Sequence, residues 1–87
     1  MSQAVLKARL PAPGASADAL FQMGLKLSMH GEGGIAQDSR AALALFDLAA
    51  RFGSIEAKIY RRELREEMDP ADIVEARKIA SDWLAGA

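Results

Sequence analysis

The stretch from Asp18 to Gly53, DALFQMGLKLSMHGEGGIAQDSRAALALFDLAARFG, decides the fold. It reads as two amphipathic helices joined by a glycine-rich turn. Ser16 is placed to cap the first helix, which the spacing predicts to run to about Met29 or His30. Leu20, Met23 and Leu27 recur at i, i+3, i+7, the spacing of a core-facing seam. Phe21, Leu25 and Met29 form a second stripe at i, i+4, i+8 on an adjacent face. Gly24 costs about 1 kcal/mol relative to alanine in mid-helix, so its place there points to the close approach of another helix backbone. In the turn His30-Gly31-Glu32-Gly33-Gly34-Ile35, three glycines supply positive φ and Ile35 offers an apolar plug. Asp38 then caps a second helix to about Phe52, with Ala42, Leu45, Phe46, Ala49 and Phe52 expected on its buried face. Ala41, Ala42, Ala49 and Ala50 are small enough for close helix contact, and Gly53 sits where a C′ residue belongs.

Outward from this unit, residues 1–15 carry the breaker run LPAPGA and read as a flexible N-terminal leader. Ser54 caps a third helix to about Glu67, in which Ala57, Tyr60 and Leu64 have core spacing. Asp69 as N-cap and Pro70 as first helical residue start a fourth helix, with Asp72 favouring its positive end. Its apolar positions are Ile73, Ala76, Ala80 and Trp83, with Ile79 and Leu84 beside them. No strand pattern competes. The expected fold class is all-α, a four-helix αα-hairpin stack.

Composition narrows the function classes. The chain has 87 residues, one small domain, with 11 basic and 12 acidic side chains and a net charge of −1. That balance gives no global electrostatic case for nucleic acid or an anionic membrane. There is no cysteine and a single histidine, His30, so neither a thiolate site nor a histidine-rich metal site is expected, and no cofactor with it. No apolar run approaches the ~20 residues that span a bilayer, and the start lacks a signal-peptide core, so a soluble cytoplasmic protein is the expectation. The loop GEGG lacks the lysine and hydroxyl of a P-loop, and no serine has a base to activate it. Acid pairs such as Glu66–Glu67 stand at helix ends, where capping accounts for them. Enzyme activity is not expected.

Charge is organised on the third helix. Lys58, Arg61, Arg62 and Arg65 form a basic stripe that Arg77 and Lys78 could extend. Glu56, Glu63, Glu66 and Glu67 return the same helix to zero net charge, and Arg62–Glu66 and Arg65–Asp69 have the i, i+4 spacing of surface ion pairs. This balance favours a solvated or protein-contacting face over nucleic-acid binding.

Met23-Gly24, the turn Gly31-Glu32-Gly33, then Asp38, Ala42, Phe46, Ala49-Ala50 and Gly53 resemble one Sel-one-like repeat (SLR). That family is a relative of the tetratricopeptide repeat (TPR), with a helix–loop–helix unit of about this length. The closing segment DPADIVEARKIASDW is similar to the tails of short bacterial SLR proteins. Leu27 and Leu45 stand where the family usually carries aromatics, and Arg61 or Arg62 replaces the glycine of a further repeat. The resemblance implies a short SLR-like solenoid: residues 16–53 as the repeat, and 54–87 as a truncated second repeat helix plus a C-terminal capping helix. It also implies a non-enzymatic adaptor that binds a partner protein segment on the groove face of the first helix. Carried over to this sequence, the groove positions are Asp18, Phe21, Leu25, Ser28 and Met29. Arg61, Arg62 and Arg65 would steer acidic partners. The Phe21, Leu25, Met29 stripe is equally compatible with being covered by the fourth helix or the N-terminal arm. Self-association and nucleic-acid binding through the third helix are the alternative functions.

Overall fold

A computed structural model describes residues 15–28 and 38–86, and among these the chain is all-helical with no strand. The helices are α1 (Ala17–Ser28), α2 (Ser39–Arg51), α3 (Ile55–Glu67) and α4 (Pro70–Gly86). The leader up to Gly14, Met29, His30 and the glycine turn lie outside the described residues. Ala15, the last leader residue, packs against the core.

Each helix starts for a local reason. The Ala19 amide donates to Ser16 Oγ (3.1 Å), the Ala41 amide to Asp38 Oδ1 (3.1 Å) and the Ala57 amide to Ser54 Oγ (3.1 Å), the side-chain caps that the sequence predicts. Pro70 opens α4, but the Asp69 side chain accepts no capping bond. Its backbone carbonyl instead takes the Asp72 and Ile73 amides at 3.0 and 3.1 Å. The end of α2 is a Schellman turn: the Gly53 amide reaches Ala50 O (3.2 Å) and the Ser54 amide reaches Ala49 O (2.9 Å). Gly53 has φ +107°, a region that side chains with a Cβ rarely adopt. Ser54 therefore closes α2 with its backbone and opens α3 with its side chain, which fixes the angle between those helices.

The second helix is the hub. It packs against α1, α3 and α4, whereas α3 and α4 barely touch one another. The helix is accordingly buried almost all round, including Leu43, Ala44 and Leu48, which a single-face reading leaves out. Phe52, expected on its buried face, is instead 50% exposed. It is the C-cap residue, past the last helical turn, and its ring lies edge-on to Trp83 at a centroid distance of 6.3 Å. Leu20 is fully buried, with Met23 and Leu27 packed on the core edge. Gly24 does mark a close crossing, but its neighbours are side chains rather than a backbone: the Phe46 ring and Leu45 Cβ. From α3 the core takes Ala57 and Leu64, and from α4 it takes Ala76, Ile79, Ala80 and Trp83. Tyr60 lies with its ring on the core and 42% of its surface exposed.

Candidate functional site

The stripe on α1 is not an open groove at its centre. Phe21 is 7% exposed, its ring 5.9 Å from Phe46 and 5.3 Å from Tyr60 between centroids, and Phe46 and Tyr60 are themselves 5.6 Å apart. The cover is thus an aromatic trio completed by α3, not the fourth helix. Three rings in tilted and edge-on contact at these distances attract beyond their simple burial. Leu25 is half-buried against the core, and Ser28 is half-buried with its hydroxyl donating to Leu25 O at 3.0 Å. Asp18 is exposed in the first turn of α1, where its charge suits the helix N-terminus. Met29 lies outside the described residues.

The arginines of α3 are differently placed. Both α3 and α4 pack on α2 but barely on each other, and a cleft of about 250 Å³ lies between them. Leu43 and Asp47 of α2 form its floor, Arg61 and Arg65 one wall, and Ile73, Ala76 and Arg77 the other. Arg61 is anchored: its guanidinium donates to Asp47 Oδ1 at 2.8 Å, while Asp47 Oδ2 lies 3.5 Å from Arg51 Nε. Neither Arg62 with Glu66 nor Arg65 with Asp69 forms the surface ion pair that the spacing predicts, as both arginines keep their heads in solvent. Arg65 then borders a shallower depression with Arg62, Glu66 and Ile73 that continues the cleft outward. The cleft therefore carries three arginines against one already engaged carboxylate, in a chain whose net charge is −1.

Such a surface combines guanidinium groups, which match carboxylates in bidentate geometry, with one partly exposed apolar side chain, Ile73. Of the residues singled out from the sequence, Arg61 and Arg65 meet here and Arg77 joins them from α4, while Arg62 stands at the rim. Asp47, Leu43, Ile73 and Ala76 complete the lining, and nothing in the sequence marks them as site residues. Their shared feature in the sequence is helical spacing within each pair or triplet, which does not say that the two helices face one cleft. The opposite flank of α3 is acidic, with Glu63 and Glu67 beside Tyr60 and Leu64 in a second, smaller hollow.

Among the described residues no group of three acidic or histidine side chains could hold a metal ion, and no described helix is long and apolar enough to cross a membrane. No family model matches the chain, and comparisons with curated proteins and with solved structures return no significant match.

Proposed function

We propose that this chain is a small helical protein-interaction module, of SLR-like build, that captures an acidic segment of a partner protein between α3 and α4. The observation that carries the reading is the cleft itself. Arg65 and Arg77 both line it from different helices, and the one carboxylate in its lining, Asp47, is already paired with Arg51 and Arg61. A partner carboxylate placed there gains charge-assisted bonds, and an adjacent leucine-type side chain meets Ile73, the partly exposed apolar residue of the lining.

The SLR-like build is supported by the positions that carry the resemblance. Gly24 meets Phe46, Ala49 and Ala50 take the terminal bonds of the Schellman turn, and Gly53 supplies its positive φ. On this reading the docking surface lies on the second helix pair, with the α1 stripe serving as its support.

The test is the anisotropy of a fluorescent amphipathic peptide of alternating leucine and glutamate clusters, titrated with wild type and with Arg65→Glu/Arg77→Glu. Both arginines are exposed, so the variant keeps its core. Saturable, salt-weakened binding that falls at least ~10-fold in the variant supports the cleft. Equal binding by both proteins removes it, and binding of a nucleic acid duplex but not of the peptide returns the arginines to a phosphate-binding role.

A further inference from the structure

The face of α3 that points away from the core is apolar in its N-terminal half, where solvent would favour charge. Ile55 is 70% exposed and Ile59 46%, one helical turn apart, and Arg62 and Glu66 continue the same line. Ala57 and Leu64, on the opposite side, fix the orientation by packing into the core. The flanks of this exposed line differ in sign. On one side stand Glu56, Glu63 and Glu67, and on the other Lys58, Arg61 and Arg65. The hollows to either side show the same polarity, Glu63 and Glu67 lining one and the arginines the other.

We propose that this face is a homodimer seam, in which α3 packs in parallel against α3 of a second copy of this chain. In a parallel pair, the left flank of one helix meets the right flank of the other, so basic meets acidic twice about the two-fold axis. In an antiparallel pair, like flanks meet and glutamates face glutamates. The spacing agrees with the parallel choice. With Ile55 and Ile59 at d and a of a heptad, Lys58 falls at g and Glu63 at e, the pair that bridges across a parallel seam. Arg62 and Glu66 take the next d and a positions, where a parallel pair sets each against its own counterpart, so their like charges turn out to solvent and the close contact is confined to the N-terminal half of α3. Ala57 and Leu64 fall at f, the position farthest from the seam, which is where the chain's own core lies. A helix of 13 residues is about 20 Å long, so the contact is small and the dimer weak and concentration-dependent.

Sedimentation equilibrium of the full chain over about 10 μM to about 1 mM tests the seam. The mass is expected to rise from one chain towards two, and to fall back with added salt. Lys58→Glu is expected to weaken association at least ~10-fold, and Lys58→Glu/Glu63→Lys to restore it, since the swap rebuilds both bridges. The orientation has its own test, because the chain contains no cysteine. Ile55→Cys places one thiol per chain on the seam, where a parallel pair brings the two within disulfide reach and an antiparallel pair separates them. A wild type that stays monomeric throughout overturns the proposal. So does association that is indifferent to Ile59→Glu in a folded variant, or a dimer in which Cys at position 55 fails to cross-link under oxidation.

Discussion

Gly24 of α1 faces the edge of the Phe46 ring on α2 so closely that a methyl group on its Cα would lie 2.7 Å from Phe46 Cε1 and 2.8 Å from Cδ1. The ring cannot swing aside, because Phe46 is 1% exposed and bounded by Phe21 and Tyr60. Alanine would recover about 1 kcal/mol of helix propensity but force an overpacked contact that costs about 1–3 kcal/mol. Gly24→Ala is therefore expected to lower the melting temperature by several degrees, and Gly24→Leu to leave little cooperative unfolding. Wild-type melting of Gly24→Leu would mean that α1 does not cross α2 at this point.

Trp83 ties the end of α4 to the hub, buried against the core and edge-on to Phe52. Trp83→Ala should cost about 3 kcal/mol or more, measured by urea denaturation. A loss below about 1 kcal/mol would mean that the C-terminal turns of α4 are undocked. Phe52→Ala should cost less, because half of that side chain is already in solvent.

Tyr60 is the lid on Phe21. Tyr60→Phe should leave stability unchanged within about 0.5 kcal/mol, since the ring contacts carry the interaction. Tyr60→Ala should cost about 2–3 kcal/mol and uncover Phe21, with a rise in binding of a hydrophobic dye as the readout. No change in dye binding would mean that Phe21 is protected by something other than this ring.

Asp38 is a buried cap whose carboxylate takes the Ala41 amide. Asp38→Ala should destabilise by about 1 kcal/mol, and Asp38→Ser should recover most of it. Equal stabilities for the alanine and serine variants would show that α2 does not depend on this cap.

Much of this architecture is legible in the sequence because capping chemistry is local. Ser16, Asp38, Ser54 and Gly53 each act within a few residues, so their positions alone place the helix ends. Contacts between helices are not carried by local chemistry. Phe52 follows the apolar spacing of α2, yet one residue past the helix the spacing no longer governs where a side chain points. Leu43, Ala44 and Leu48 are buried because three helices surround α2, a fact of packing that no single periodicity carries. The arginine cleft is half-legible for the same reason. Arg61 and Arg65 share a face by their spacing, but Asp47 and Arg77 join them only because α3 and α4 both pack on α2. Tyr60, which shares the core spacing of Ala57 and Leu64, covers Phe21 by reaching across from another helix.

The most direct test of the interaction reading is nuclear magnetic resonance of the isotopically labelled chain during titration with the leucine–glutamate peptide. The cleft account predicts shift changes concentrated at Leu43, Asp47, Arg61, Arg65, Ile73, Ala76 and Arg77, saturating together and fading with added salt. Shifts confined to α1 around Asp18 and Leu25, or none at any peptide concentration, would contradict it.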